Sequence, residues 1–196
     1  MTMRADPMEK ELWKPGNMLY PLPVVMVSVT DGEGHDNIIT VAWTGTVCSD
    51  PPMLSISVRP ERYSYSMLKK TEEFVVNLVT KELVYATDFC GVKSGRELDK
   101  FREMKLTRLP ASKVLPPMIG ESPVNLECQV SQVIPLGTHD MFLARIVAVH
   151  ADKRYMDEKG KFHLEQARPV VYSHGEYLLT GERLGSFGYS VRKKQG

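Results

Sequence analysis

One stretch of the sequence indicates the fold most clearly, and it reads Asp36-Asn-Ile-Ile-Thr-Val-Ala-Trp-Thr-Gly-Thr-Val-Cys-Ser-Asp-Pro-Pro52. Its first half is rich in β-branched and aromatic residues and follows the turn-forming run Asp31-Gly-Glu-Gly34, so it predicts a β-strand. The run 24–30 before that turn has the same character, and together they predict a hairpin. Next, Thr44-Gly45-Thr46 offers hydroxyls and backbone N–H groups around a residue without a side chain. Such a loop lets the backbone approach a planar ligand with polar edges.

The segment after this loop has the composition of an anion site. A short apolar strand is predicted over residues 53–58, and Ser64 is placed to cap the N-terminus of a following helix. A helix N-terminus presents unpaired N–H groups and the positive end of the helix dipole, and Arg59 and Arg62 lie within one turn before it. This arrangement suits a phosphate group. The alternative is an ordinary capped helix with two arginines on a solvated face.

The rest of the chain predicts short strands joined by tight turns, with a few short helices between them. Strands are predicted at 73–79, 124–134, 141–150 and 170–172, with a β-bulge where the alternation of the second slips at Gln132-Val133. Helices are predicted at 81–89, with a glycine C-cap at Cys90-Gly91, and at 97–104, while the proline-rich residues 107–123 are expected to be irregular. The predicted fold class is mainly β, a small barrel with Greek-key-like connections and capping helices.

Composition limits the class of protein further. The chain has 196 residues, of which 42% are hydrophobic, and predicts one domain over residues 1–196, with residues 1–19 as an N-terminal arm that packs Leu12 or Trp13 onto the body. Lysine plus arginine (25) balance aspartate plus glutamate (24), so we expect no nucleic-acid partner. The three cysteines are far apart and predict reduced thiols without a metal site. Residues 1–20 contain no long apolar run, so we expect no membrane partner and a cytoplasmic location.

A series of short motifs resembles, in order and spacing, the flavin reductase-like family with the FMN-binding split-barrel fold. The motifs are Asn37-x-x-Thr40-x-Ala42-Trp43, Asp50-Pro51-Pro52, Arg62-Tyr63-Ser64, Glu73-Phe-Val-Val-Asn-Leu78, Cys90-Gly91, Ser94-Gly95-Arg96, Asp99-Lys100-Phe101, Glu121-Ser-Pro-Val-Asn-Leu-Glu-Cys128, Gly137-x-His139-Asp140-Met141-Phe142 and Gly185-x-Phe187-Gly188. The resemblance covers nearly the whole chain. It implies a homodimer that binds one FMN per subunit at or near the subunit interface.

The resemblance also implies roles for particular residues. The isoalloxazine ring of FMN would be lined by Thr44, Gly45, Thr46 and Val47, and its phosphate would be held by Arg59, Arg62, Tyr63 and Ser64. Asn77 would reach either the ribityl chain or a backbone turn.

Several side chains have two interpretations each. His139 is the catalytic candidate, as a donor to the reduced flavin, or else a turn histidine satisfied by Asp140 or a carbonyl. Lys100 is an extra cation for a phosphate or a nicotinamide dinucleotide, or else part of a solvated helix face. Trp43 and Phe187 either stack on the flavin or belong to the core. Cys48 either touches the cofactor or only packs.

The sequence contains no G-x-G-x-x-G motif after a strand, so NAD(P)H would dock transiently over the exposed flavin face. We therefore expect an NAD(P)H-dependent flavin or ferric reductase that passes electrons through FMN to a small molecule or a redox protein. One alternative is a flavoredoxin-like electron carrier that does not oxidise NAD(P)H itself. Another is a barrel that binds haem, with His139 and His174 as candidate ligands.

Overall fold

The structure, a computed structural model, describes residues 9–191 of the chain. Within this range the chain forms twelve β-strands, three α-helices and four short 3-10 helices. The strands are β1 (Leu22–Pro23), β2 (Val25–Thr30), β3 (Asp36–Val41), β4 (Thr44–Ser49), β5 (Pro52–Val58), β6 (Glu73–Leu78), β7 (Arg108–Leu109), β8 (Met118–Ile119), β9 (Val124–Pro135), β10 (Asp140–Ala151), β11 (Val170–Ser173) and β12 (Glu176–Leu179). The α-helices are α1 (Tyr63–Thr71), α2 (Val84–Val92) and α3 (Lys100–Glu103). Among residues 9–191, no helix is long and apolar enough to cross a membrane.

The main sheet has seven antiparallel strands in the order β3-β2-β6-β9-β10-β5-β4. Its two edge strands, β3 and β4, are consecutive in the chain and are joined only by Ala42 and Trp43. Because so short a connection cannot cross a flat sheet, the sheet must curl until its edges meet. The Ser57 N–H donates to the Trp43 carbonyl at 2.9 Å and extends the β4–β5 pairing to the connection, whereas β3 and β4 form no ladder with each other. The result is a β-barrel that is split along one seam.

The barrel wall is buried on both faces where the helices cover it. Every residue of β2 is buried: Val25, Val27 and Val29 point into the barrel interior, whereas Met26 points outward. A second apolar cluster forms there, between the wall and helices α2 and α3, and it includes Met26 and Phe101. A strand that is buried on both faces appears in the sequence as a continuous run of apolar residues.

Most of the predicted strands are confirmed. The hairpin of β2 and β3 pairs in register from Val25 with Val41 to Thr30 with Asp36. The predicted bulge is confirmed near its expected place, because Leu143 pairs with Gln132 but Ala144 pairs with Val130. A second register shift on the partner strand falls between Ile146 and Ala148. The split-barrel class follows from these pairings.

Two helix predictions are wrong in detail. Helix α2 runs through Cys90-Gly91 and ends at Val92, so Gly91 is not its C-cap. Gly91 is small for a different reason: a Cβ there would lie 3.2 Å from the Thr40 Cβ on β3. Helix α3 is shorter than predicted, with only four residues.

The N-terminal arm does not pack as predicted. Residues 1–8 lie outside the described residues, and residues 9–19 form no helix. Leu12 and Trp13 are 101% and 67% exposed, so neither packs onto the barrel. The chain first contacts the body near Tyr20, whose ring stacks on His174 with centroids 4.2 Å apart.

A buried carboxylate anchors the irregular segment between β7 and β8. Glu127, on β9, is 0% exposed and accepts hydrogen bonds from the backbone N–H groups of Ser112, Lys113 and Val114 and from the Ser112 hydroxyl. His150 Nε2 lies 2.5 Å from the same carboxylate. Burial alone would raise the pKa of Glu127, but the hydrogen bonds from Ser112, His150 and Lys113 lower it to about 2. The ionised carboxylate therefore holds this segment against the barrel.

We expect Glu127→Gln to lower the free energy of unfolding by about 2 to 4 kcal/mol, because the amide loses the charge that these donors stabilise. Urea denaturation measures this change. Glu103→Gln is a suitable control, since the Glu103 side chain is 43% exposed and pairs only with Arg102 at 3.4 Å. If the two substitutions had equal effects, the hydrogen bonds to the Glu127 carboxylate would contribute nothing to stability.

The ionised Glu127 carboxylate also predicts that the stability of the fold depends on pH. The folded pKa of Glu127 lies below the unfolded value of about 4.3, so its stabilising contribution is present above that value and is lost as the pH falls toward about 2. The wild-type free energy of unfolding should decline across this window. Glu127→Gln should decline less, and a parallel decline in both proteins would contradict the assignment.

Candidate functional site

The largest cavity of the site, cavity A, lies where the barrel seam meets helix α2 and the β11–β12 hairpin. Its volume is about 440 Å³, within the range typical of small-molecule sites. The lining residues are Val24, Ile39, Thr40, Val41, Ala42, Trp43, Ser57, Val58, Arg59, Arg62, Asp88, Gly91, Val92, His139, Tyr172, Gly175 and Tyr177. Apolar side chains of β3 and charged side chains of the β5–α1 connection thus face the same space.

A smaller cavity, cavity B, adjoins cavity A and has a volume of about 180 Å³. The two cavities share Ile39, Arg62, Gly91 and Val92. The other residues that line cavity B are Asn37, Glu61, Tyr63, Ser64, Cys90, Lys93, Ser94, Gly95, Arg96 and Lys100. Cavity B therefore brings together the start of α1, the loop after α2 and the start of α3.

Helix α1 begins two residues earlier than the sequence predicts. Arg62 is its N-cap, in extended conformation, and no side chain caps the helix. Ser64 is the second helical residue and is 0% exposed, so its predicted capping role is wrong. Its hydroxyl instead accepts a hydrogen bond from Asn37 Nδ2 at 2.8 Å. Arg62, Tyr63 and Ser64, at the start of α1, line cavity B, and the Tyr65 N–H donates to the Arg62 carbonyl at 2.9 Å.

Lys100 is neither on a solvated face nor free to move. It is 4% exposed, and its Nζ donates to the carbonyls of Ile38 and Cys90, both at 2.7 Å. Burial lowers the pKa of Lys100 to about 8; Cys90 opposes this effect and Arg62 adds to it. An ammonium group has three N–H donors, so one remains for a ligand in cavity B.

The loop at residues 93–96 forms the rim of cavity B. The Arg96 guanidinium lies 5.5 Å above the centre of the Tyr63 ring. A Cβ on Gly95 would come within 2.2 Å of Asn37 Oδ1 and 2.9 Å of the Tyr63 ring, so only glycine lets this loop lie so close to the site.

The charges around the two cavities are mainly positive. The cationic side chains are Arg59, Arg62, Lys93, Arg96 and Lys100, and the carboxylates are Glu61 and Asp88. This excess of positive charge attracts an anion, and it is concentrated where the N-terminus of α1 also favours one.

His139 lines cavity A, as the sequence predicts for a residue near the ligand. Its turn is tied to α1 by Tyr65, whose hydroxyl donates to Asp140 at 2.5 Å. The imidazole Nδ1 lies 2.9 Å from the Thr138 hydroxyl, so neither Asp140 nor a carbonyl satisfies the ring. Burial, followed by the charge of Arg59, lowers the pKa of His139 and favours the neutral imidazole. An imidazolium at this place is therefore disfavoured.

The predicted ligand loop is part of an edge strand. Thr44, Gly45, Thr46 and Val47 belong to edge strand β4 and line neither cavity A nor cavity B. Thr44 donates its hydroxyl to the Ser55 carbonyl, and Val47 is 51% exposed. The residues that line cavity A come just before, at positions 39–43. Which of these two segments lines cavity A depends on how the barrel closes, and the local sequence does not show how it closes.

Asn77 does not reach either cavity. It is 0% exposed, donates to the Met26 carbonyl and accepts from the Ile119 N–H and from Asn125 Nδ2. Of the two predicted roles of Asn77, the structure shows hydrogen bonding to backbone groups.

The remaining candidate side chains divide between the site and the surface. Trp43 is half-buried and lines cavity A, whereas Phe187 is 105% exposed and lies in neither the core nor the site. Cys48 is half-buried, lies outside both cavities and has its Sγ 3.3 Å from the Asp50 carbonyl. His174 packs on Tyr20 and lines neither cavity.

Sequence reasoning missed several residues of the site. Asn37 and Arg96 belong to motifs of the family resemblance, so a signal for them existed. Asp88 and Tyr177 carry no such signal, and they meet only through the fold, 89 residues apart, where the Tyr177 hydroxyl donates to Asp88 Oδ1 at 3.1 Å.

The structure is a mainly β split barrel in which a small, cationic cavity adjoins a larger cavity beside β3. The chain belongs to the flavin reductase-like family, because the family model described as a flavin reductase-like domain matches residues 17–179.

Individual relatives agree with this assignment. The structure of flavoredoxin from Desulfovibrio vulgaris (Miyazaki F) is similar, with a TM-score of 0.87 at 28% identity, covering 94% of this chain and 100% of that one. An uncharacterized protein of Pyrococcus abyssi is 30% identical over 168 residues, which are 85% of this chain and 95% of the relative. An FMN reductase (NADH) of Serratia proteamaculans is 26% identical over 125 residues, covering 64% of this chain and 69% of the relative. The family and its split-barrel fold connect this chain to flavin-related redox chemistry.

The position of Lys100 predicts how cavity B responds to pH. Sulfate keeps the same charge over the relevant range, and we expect it to raise the melting temperature less as the pH rises through about 8, because the Lys100 ammonium is then lost. Differential scanning fluorimetry between about pH 7 and about pH 9.5 measures this effect. In Lys100→Met the pH dependence should disappear, whereas in Lys105→Met, on the exposed surface, it should persist. A sulfate effect that is independent of pH in the wild type would contradict the assignment.

Proposed function

We propose that this chain binds FMN across cavities A and B and acts as an NAD(P)H-dependent flavin or ferric reductase. The observation that carries the proposal is the continuity of the two cavities at Arg62. This arginine faces both the apolar space beside β3 and the cationic space at the start of α1. FMN has the matching form, with a ring system at one end and a phosphate at the other.

The residues of cavity B fit a phosphate dianion. Ser64 and Lys100 lie at the buried end with their hydroxyl and ammonium groups, and Arg62 and Arg96 lie nearer to solvent. Charge-assisted hydrogen bonds from such donors are the strong ones in phosphate recognition. The small volume of cavity B supports a single phosphate, and thus FMN rather than a dinucleotide flavin.

The residues of cavity A fit a flat ring. Ile39, Val41 and Trp43 contribute apolar surface, and the fixed backbone at the Ser57–Trp43 hydrogen bond holds the indole in place. A bound flavin would supply the electron transfer itself, and the protein would bind, orient and tune it. Arg59 would place positive charge beside the ring, where it favours the acceptance of electrons.

His139 would act as a neutral hydrogen-bond partner. Its lowered pKa keeps the imidazole uncharged, and Thr138 occupies Nδ1, so Nε2 is left to face the cavity. This role differs from the charged donor that the sequence suggested.

NAD(P)H as the reductant is supported by the name of the Serratia relative, an FMN reductase (NADH). The electrons would pass to a small molecule or to a redox protein. A flavoredoxin-like electron carrier is the second candidate function, supported by the similarity to the Desulfovibrio flavoredoxin over 94% of the chain. Such a carrier would bind FMN but accept electrons only from another redox protein.

We also propose that the chain works as a homodimer. Several large apolar side chains of the described residues are strongly exposed, among them Leu19 (85%), Leu184 (86%) and Phe187 (105%). Strand β4 is an edge of the main sheet, and its Val47 is 51% exposed. Apolar surface of this extent favours association. The cytoplasmic location stays a prediction from the sequence.

The first test of this function is an anaerobic absorbance spectrum with FMN, recorded before and after addition of NADH and then NADPH. Bound flavin that is bleached rapidly by one nucleotide supports the reductase and names its reductant. Bound flavin that is bleached only by dithionite supports the electron carrier. If no flavin binds even at excess FMN, both candidate functions are wrong.

The shared position of Arg62 gives a sharper prediction. We expect Arg62→Gln to weaken FMN binding about tenfold or more, because a charge-assisted contact to the phosphate is lost. Fluorescence titration of FMN measures the dissociation constant. Arg102→Gln removes a guanidinium that is 77% exposed and lines neither cavity, so its affinity should equal that of the wild type. Equal affinities in all three proteins would place the phosphate elsewhere.

A further inference from the structure

One part of the cavity A wall carries a carboxylate and a phenol hydroxyl. Asp88 projects from helix α2, and Tyr177 on β12 donates its hydroxyl to Asp88 Oδ1 at 3.1 Å. Within residues 9–191, Asp88 forms no ion pair, although Arg59 and Arg62 line the same cavity. A carboxyl group without a cationic partner among these residues thus lines the cavity.

The position of Asp88 along α2 relates it to cavity B. Gly91 and Val92 of this helix lie at the boundary that the two cavities share, and Asp88 lines only cavity A. With a rise of about 1.5 Å per residue, Asp88 lies about one helical turn from that boundary. The Thr40 hydroxyl donates to the Thr87 carbonyl at 2.5 Å and fixes this turn against β3. A molecule whose phosphate lies in cavity B would therefore meet Asp88 with its ring system.

The Asp88–Tyr177 pair favours a ligand group that donates a hydrogen bond. Burial, followed by the hydrogen bond to Asp88, raises the pKa of Tyr177 to about 12, so the phenol stays protonated and occupies Oδ1. Oδ2 remains as an acceptor, since an ionised carboxylate has no proton to donate. A ligand carbonyl at this place would face a negative charge, whereas an N–H group would be stabilised.

We infer that Asp88, oriented by Tyr177, accepts a hydrogen bond from the imide N–H of the flavin ring and thereby fixes how the ring lies in cavity A. The inference rests on the proposed function. The oxidised flavin ring carries a single N–H donor, the imide between two carbonyls, and its other polar ring atoms accept hydrogen bonds. A carboxylate that needs a donor therefore has one partner on this ring.

The carboxylate has a second consequence. A negative charge beside the ring disfavours the addition of electrons to it, in opposition to the charge of Arg59. Asp88 would thus lower the reduction potential of the bound flavin.

A double-mutant cycle between protein and ligand tests the inference. FMN and an FMN analogue methylated at the imide nitrogen are titrated into wild type and Asp88→Ala, with Glu82→Ala, an exposed carboxylate outside both cavities, as the control. In wild type and in the control, we expect methylation to weaken binding about tenfold or more. In Asp88→Ala the methylation penalty should shrink, because its partner is gone.

The midpoint potential of bound FMN is a second measurement. If Asp88 had only a structural role, removing its charge would not raise this potential. In Asp88→Asn, which removes the charge but keeps the shape, the midpoint potential of bound FMN should rise. Tyr177→Phe keeps the carboxylate and should retain most of the methylation penalty.

The outcomes separate the two proposals. If methylation weakens binding equally in wild type and in Asp88→Ala, the inference about Asp88 is overturned while FMN binding stands. If FMN does not bind to the wild type, the proposed function and this inference both fail.

Discussion

The structure depends on one geometric constraint, the two-residue connection between β3 and β4. Because Ala42 and Trp43 must join the two edges of a seven-stranded sheet, the sheet closes on itself and leaves a seam where no ladder forms. Cavity A lies at this seam, and part of its lining comes from the last residues of β3, the connection itself and the end of β5. A closed ladder would fill the same space with paired backbone. The site is therefore a product of incomplete barrel closure.

Hydrogen bonds between buried polar groups hold the elements around cavity B in place. Asn37 on β3 donates to Ser64 on α1, and Lys100 on α3 donates to carbonyls of β3 and α2. Three helices are thus fixed to one strand by polar contacts at the floor of the cavity. Since a buried polar group without a partner is costly, each of these groups holds the others in place. The anion site and the packing of the helices onto the barrel are maintained by the same bonds.

Much of the fold could be predicted from the sequence, because alternation, turn residues and helical spacing are local signals. The hairpin of β2 and β3 and the strands β5, β6, β9 and β10 follow from such patterns, whereas the short strands β7 and β8 do not. The cationic end of the candidate site has a local signal as well, since Arg62 and Ser64 are close in sequence, whereas Arg59 lines cavity A and not cavity B. The ring end could not, because whether residues 39–43 or 44–47 face the cavity depends on how the sheet closes. Asp88 and Tyr177 meet across 89 residues of sequence and leave no local trace.

The three cysteines differ in a way that is useful in practice. Burial raises the pKa of the Cys90 thiol to about 11 and that of Cys128 to about 12, so both remain protonated and unreactive in the folded chain. Cys48 is half-buried on edge strand β4, outside cavities A and B. A thiol-directed label would therefore attach at one place per chain without entering the site. Two labelled copies in a dimer would carry one probe each, which allows the distance between subunits to be measured in the native sequence.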